Sequence, residues 1–133
     1  MGTTDSQRCS RPVAEYIDRL RSRFDVQTVI LFGSRARGDH DEFSDWDLFV
    51  VGRNLPIDWR ERTKAVRKGK PTGVDVIAWT KREVRQHIYR TFILDIAIEG
   101  VPLYGDVTWF RQLAEQYLAR RKKWQSEPAA ARA

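Results

Sequence analysis

Leu31-Phe32-Gly33-Ser34-Arg35-Ala36-Arg37-Gly38 is followed, after five residues, by Ser44-Asp45-Trp46-Asp47-Leu48-Phe49-Val50. The apolar, β-branched run over 26–32 predicts a buried strand that ends at Gly33-Ser34. A glycine after a strand lets the backbone turn sharply and approach an anion closely. A serine hydroxyl and nearby backbone N–H groups then suit phosphate oxygens, with help from a helix dipole if a helix starts there. Arg35 and Arg37 stand where guanidinium groups would neutralise a triphosphate or its leaving group. The segment 35–44 is polar, with Gly38 as a breaker, and part of it reads as helical. The second apolar run, over 45–51, reads as another strand.

Asp45 and Asp47 lie two residues apart at the mouth of that strand. Period-two geometry sends both side chains to one face. Adjacent like charges repel, and a divalent cation between them removes the cost. Hard carboxylate oxygens suit Mg²⁺ or Mn²⁺. Asp75 opens a third predicted strand over 74–79. If that strand lies beside the second, the three carboxylates form the donor set for two ions about 3.5–4 Å apart, as used in phosphoryl displacement. Each piece alone has a plain reading as a turn, a cap or a surface acid. The joint arrangement points to nucleotide chemistry.

Outward from this stretch, Ser10 and Pro12 mark a helix start, and Val13, Tyr16, Ile17, Leu20 and Phe24 recur at helical spacing. Asp58 caps an expected basic helix to about residue 68, with Trp59, Ala65 and Val66 on its inner side. Thr80 and Glu83 form a capping-box pattern, with Val84 and Ile88 facing inward after it. Residues 91–99 read as a helix stopped at Gly100, and 101–104 as a short strand. A last helix starts at Asp106 or Thr108, with Trp109, Phe110, Leu113, Tyr117 and Leu118 as its apolar face. Helices interleaved with strands give an α/β (α+β) domain: a small mixed sheet backed by helices, covered mainly on one face. The expected organisation is a flexible leader over 1–9, one domain over 10–126 with a C-terminal helix over 109–126, and a disordered tail over 127–133.

The chain of 133 residues is long enough to bury a core. No apolar run is long enough to span a bilayer, and the polar first ten residues lack a signal-peptide core. The lone Cys9 excludes an internal disulfide and fits a reducing cytoplasm. A net charge of +6 attracts polyanions, with basic clusters at Arg60, Arg62, Lys64, Arg67, Lys68 and Lys70 and at Arg120, Arg121, Lys122 and Lys123. No recognised nucleic-acid-binding motif accompanies this charge, so nucleic acid is not the expected partner. His40 and His87 stand alone and read as packed or solvated.

The sequence resembles the DNA polymerase β-type nucleotidyltransferase superfamily, and within it the minimal nucleotidyltransferases. These are the MNT partners of HEPN-domain proteins in toxin–antitoxin pairs. The superfamily pattern is Gly-Ser, about ten residues, then Asp-x-Asp; here it is Gly33-Ser34 and Asp45-Trp46-Asp47. The short branch's Gly-Ser-Arg-Ala-Arg-Gly is matched by Gly33 to Gly38, the third carboxylate by Val74-Asp75-Val76-Ile77, and the closing element by Glu99 to Gly105. The similarity spans roughly residues 12–106. Trp46 departs from it, standing where the family has a smaller aliphatic residue; its side chain is expected to pack away from the aspartates.

The resemblance implies a nucleotidyltransferase fold and AMP transfer from ATP to an acceptor hydroxyl. Asp45, Asp47 and Asp75 would bind Mg²⁺, and Asp75 would also help to activate the acceptor. Gly33 and Ser34 would bind the triphosphate, and Arg35 and Arg37 would contact phosphates. The acceptor would be a tyrosine of a cognate HEPN-domain ribonuclease toxin, encoded next to this chain and joined to it in an oligomeric complex. Two alternatives stay open: an antitoxin acting by contact alone, and transfer to a small molecule such as an aminoglycoside. Relatives with small-molecule acceptors generally carry an added helical domain, for which this chain has little room.

Overall fold

The structure is a computed structural model and describes residues 8–126. Most of the expected leader (1–7) and the whole expected tail (127–133) lie outside the described residues. The chain runs α1 (Arg11–Arg23), β1 (Asp25–Phe32), α2 (Ser34–Arg37), β2 (Trp46–Arg53), α3 (Trp59–Arg67), β3 (Val74–Trp79), α4 (Lys81–Gln86), α5 (Thr91–Glu99), β4 (Val101–Gly105) and α6 (Thr108–Ser126). The strands form one mixed sheet in the order β3-β2-β1-β4. β1 pairs antiparallel with β2 and β4, whereas β2 and β3 run parallel. A parallel pair needs a crossover, and α3 supplies it.

Local chemistry accounts for the element ends. α1 opens with proline in its first turn, where a missing N–H costs nothing. The Asp58 carboxylate accepts the Glu61 N–H at 2.9 Å and caps α3. Thr80 and Glu83 form both bonds of the capping box on α4. At the end of α5, Gly100 has an ordinary negative φ. Its glycine is required by space instead, because a Cβ would overlap the Ile30 side chain and the Ile96 carbonyl. Arg111 of α6 closes that end, donating to the carbonyls of Ala97 (3.2 Å) and Gly100 (2.8 Å).

The sheet is covered on both faces, which corrects the one-sided cover expected from sequence. Val29, Leu31, Leu48, Val50 and Leu103 meet α1 and α3 through Val13, Tyr16, Ile17, Leu20 and Val66. Ile30, Phe49 and Val51 meet α4, α5 and α6 through Val84, Ile93, Ile96, Phe110 and Ala114, joined by Ile88 from the turn after α4. Alternation along β1 and β2 sends neighbours to opposite cores, so the uninterrupted apolar run Leu48–Val51 belongs to a strand buried on both sides. The apolar face expected on α6 is only partly covered: Phe110 and Ala114 are buried, and every residue from 119 to 126 is exposed. No helix of the described residues is long and apolar enough to cross a membrane.

α3 buries Val66 as expected, with Ala65 half-buried, and differs from expectation in its first turn. Trp59 is 59% exposed, and Arg62 lies inside at 5%. The guanidinium is held through two of its nitrogens: Nε donates to the Pro56 carbonyl (2.8 Å), and Nη1 donates to the Ala78 carbonyl (3.3 Å) and pairs with Glu83 Oε1 at 2.7 Å. One cation thus ties the α3 entry, β3 and α4 together. On the same side, the buried Tyr16 hydroxyl donates to the Val66 carbonyl at 2.6 Å, and burial pushes its pKa up to about 12. Arg19 and Arg23 of α1 donate to Gly69, Ala65 and Lys68 carbonyls at the end of α3. Part of the positive charge is therefore structural.

Burial pushes the Glu83 carboxyl up, but hydrogen bonds from Arg62 and from the Thr80 backbone outweigh it and hold it below its usual value. A depressed carboxyl contributes stability above the unfolded-state pKa and loses it as pH falls through the folded-state value. Arg62→Ala removes hydrogen bonds to two carbonyls and a half-buried carboxylate, so it is expected to cost about 1.5–3 kcal/mol in urea unfolding at pH 7. Glu83→Gln should flatten the loss of stability between neutral and acid pH.

Candidate active site

The mouth of the sheet, where β1 ends and β2 and β3 begin, carries the polar groups picked out in the sequence. Parallel register sets Asp47 directly beside Asp75, and antiparallel register sets Phe32 beside Asp47. Asp75 is exposed, Asp47 is half-buried, and Asp45 stands exposed just before β2. The third carboxylate therefore joins the other two on the face covered by α4 to α6. Burial raises the Asp47 carboxyl above its usual range, and the charges of Asp75 and then Asp45 raise it further, while Arg37 pulls it down. The three acids and Arg37 thus act on one another through space. Arg67 of α3 reaches Asp75 at 3.9 Å.

Gly33 packs directly against this cluster. Its φ is +75°, a region that favours glycine, and a Cβ there would overlap the Asp47 carboxylate. The turn it makes starts α2, whose Ala36 and Arg37 N–H groups return to the Gly33 carbonyl at 3.1 Å each. The leading N–H groups of α2 have no helical acceptor. Ser34 is half-buried at this start, and Gly38 ends the short helix in the left-handed region.

The two arginines of the motif do different things. Arg35 folds back: its Nε donates to the Ser44 carbonyl at 3.0 Å, its Nη2 to the Asp41 carbonyl at 3.4 Å, and its guanidinium lies over the Trp46 ring at 4.2 Å. It braces the loop that delivers Asp45. Trp46 packs on the opposite core from the aspartates, as its place in the alternation predicts. Arg37 is exposed, pairs with Asp39 at 3.3 Å, and borders a cavity shared with Gly33.

Among the described residues, no three acidic, histidine or cysteine side chains close into a ready-made metal cage. The donor set nonetheless fits Mg²⁺ or Mn²⁺. Mg²⁺ is ordinarily held by one or two carboxylates together with substrate phosphates and water, so an open cluster of hard oxygens suits it. The mutual repulsion acting on Asp47 is also what a cation there would relieve.

Sequence reasoning missed the far wall of the cavity beside Gly33. Phe92, Asp95 and Glu99 of α5 line it with Phe32 and Ile96. The available signal was Asp95, an acid inside the apolar run from Phe92 to Ile98.

A model described as the nucleotidyltransferase domain matches residues 13–104. A Methanocaldococcus jannaschii protein named as a candidate protein adenylyltransferase is 37% identical over 65 residues, covering 47% of this chain and 44% of that protein. The chain spans less than half the length of the curated relatives it matches. Among solved structures, a toxin–antitoxin with AMP-PNP aligns at TM-score 0.54 and 20% identity, covering 88% of this chain and 93% of that chain. The tri-AMPylated Shewanella oneidensis HEPN toxin in complex with MNT antitoxin gives TM-score 0.54 and 18% identity, covering 90% and 92%. At these identities the solved structures establish a shared fold.

Two outcomes follow from the geometry. Gly33→Ala must relax a positive φ and displace the Asp47 carboxylate, so it should cost about 1–3 kcal/mol in chemical denaturation. Asp47→Asn should have the opposite sign. A carboxyl raised on folding contributes stability at low pH that is lost as pH rises through its folded-state value. Neutralising it should therefore raise the metal-free melting temperature at pH 7 by about 2 °C, on the scale of a cross-strand like-charge pair. The gain should vanish near pH 4, read by differential scanning calorimetry.

Proposed function

The chain belongs to the nucleotidyltransferase domain family, and from that premise we propose that it transfers AMP from ATP to an acceptor hydroxyl. The acceptor in this reading is a tyrosine of a cognate HEPN-domain ribonuclease toxin, which makes the chain an antitoxin that works by adenylylation within a complex. One observation carries the proposal: Gly33, Asp47 and Asp75 meet at a single sheet mouth, in contact or in register. Relatives named as candidate protein adenylyltransferases support the donor and the protein target. A fold shared with an AMPylated toxin–antitoxin complex supports the partner.

In the proposed reaction, Gly33 and Ser34 seat the triphosphate against the start of α2. Arg37 neutralises the phosphate chain at the same end. Asp45, Asp47 and Asp75 would hold Mg²⁺, two ions in the full arrangement, with Mn²⁺ as a substitute. Ions held there would offset the triphosphate charge and lower the pKa of the acceptor hydroxyl. The acceptor oxygen forms a bond to the α-phosphorus as the bond to pyrophosphate breaks. Asp75, exposed on the edge strand, takes up the hydroxyl proton. Arg35 acts through the loop it braces, keeping Asp45 at the mouth.

The test uses ATP labelled on the α-phosphate, Mg²⁺, this chain and the neighbouring HEPN-domain protein. We expect label on a tyrosine of the partner, and a fall of at least about 10²-fold with Asp45→Asn/Asp47→Asn. A stable complex without label would point to inhibition by contact alone. Label on a small hydroxyl compound with no partner present would reassign the acceptor.

A further inference from the structure

The positive charge of the chain divides into groups that serve the fold and groups that do not. Arg62 is engaged inside the protein. Arg19 and Arg23 of α1 donate to the carbonyls of Ala65, Lys68 and Gly69 at the end of α3. Those carbonyls therefore need no cap from the cations of α3 itself. Arg60, Lys64, Arg67 and Lys68 are all exposed. Among the described residues, the side chains of Arg60, Lys64 and Lys68 have no hydrogen bond or ion pair.

The spacing of these four places them on one side of α3, opposite the buried Arg62 and Val66. Like charges four residues apart weaken a helix. Arg67 and Lys68 gain from the dipole at the C-terminal end. Arg60 stands in the first turn, where the dipole disfavours a cation. At its head, the stripe works against the helix that carries it.

The stripe also has a direction. From Arg60 to Arg67 it covers about 10 Å of helix axis. There Arg67 reaches Asp75 at 3.9 Å, so the row of cations stops at the carboxylate mouth. It arrives from the α3 side, whereas Gly33 and Arg37 border the cavity toward α5. A shallow hollow of about 720 Å³ follows the row, lined by Lys64, Ala65, Arg67 and Lys68 together with Glu61. Its floor is the Ala65 methyl and the aliphatic stems, and its rim carries the charges. Among the described residues, no aromatic ring lines it, so it lacks the platform on which single-stranded nucleic acid stacks. An extended peptide bearing carboxylates suits both floor and rim, and about three residues of it span the row.

We propose that α3 is a docking strip for an acidic segment of the acceptor protein, which lies along Arg60, Lys64, Arg67 and Lys68 and leads its hydroxyl to Asp75. The inference rests on the adenylylation reading for the chemistry at Asp75. It adds the means by which the acceptor is chosen: complementary charge along one helix, outside the groups that carry out transfer.

The test compares the whole chain with Arg60→Gln/Lys64→Gln/Lys68→Gln. A control, Arg120→Gln/Lys122→Gln/Lys123→Gln, removes the same charge from the end of α6. All of these side chains are exposed, so both variants should fold, which circular dichroism checks. Calorimetric titration with the neighbouring HEPN-domain protein, without nucleotide and at low and high salt, gives the dissociation constant. Transfer from labelled ATP gives KM and kcat. The α3 variant should weaken the complex and raise the acceptor KM about tenfold, the combined effect of three exposed charge pairs. Its kcat at saturating acceptor and its Mg²⁺-ATP affinity should be unchanged, and its complex should depend less on salt than the parent's. The α6 control should match the parent. An unchanged dissociation constant in the α3 variant, an equal loss in the control, or a folded parent that forms no complex overturns the proposal. So does a short oligouridylate that binds the parent more tightly than an oligoglutamate peptide and loses that affinity in the α3 variant, since the strip would then read nucleic acid. If the complex forms and the α3 variant weakens it, yet no label is transferred, the docking strip stands and the adenylylation reading falls.

Discussion

The parallel pairing of β2 with β3 is the constraint on which the site depends. It places Asp47 beside Asp75 at the open end of the sheet. Like charges side by side on one face cost stability, and the raised Asp47 carboxyl is the mark of that cost. A one-residue slip would send Asp75 to the opposite face and abolish the cluster. Gly33 adds a second constraint, since only a residue without a side chain lets the β1–α2 turn lie against Asp47. The rest of the fold keeps these three positions fixed against the repulsion between the carboxylates.

Two devices maintain the register. The first is double burial of the central strands: alternate residues of β1 and β2 enter two separate cores. A one-residue slip would exchange the side chains of the two cores and spoil the fit of each. The second is the Arg62 junction, in which one guanidinium satisfies carbonyls before α3 and on β3 and pairs with Glu83 on α4. That junction sits beside the crossover connecting the two parallel strands. A charged group inside the protein is tolerated there because it is paired with a carboxylate and hydrogen-bonded to two carbonyls.

Much of this was legible in the residues. The strand before Gly33, the Asp-x-Asp strand and the third strand opening at Asp75 were readable from apolar runs and breakers. The Asp58 cap and the Thr80–Glu83 capping box were readable from local pairs. What escaped depended on tertiary context. Cover on both faces could have been inferred from Leu48–Val51, a run with no polar alternation. The inward turn of Arg62 in place of Trp59 could not, because it depends on carbonyls and a carboxylate brought from three other elements. Arg35 and Arg37 look equivalent in sequence, yet only the folded loop shows one bracing Ser44 and Trp46 and the other left at the surface. The acids of α5 line the cavity beside Gly33 only because that helix packs beside the end of β1.

In the proposed function, Asp45, Asp47 and Asp75 form an open cluster completed by a divalent cation and nucleotide phosphates. Its most direct test is electron paramagnetic resonance of Mn²⁺ titrated into the whole chain with and without ATP. Mn²⁺ should be taken up jointly with ATP by the parent chain, and this joint uptake should be lost in Asp45→Asn/Asp47→Asn while the fold persists. Equal uptake by both proteins, or none by a folded parent chain in the presence of ATP, would contradict it.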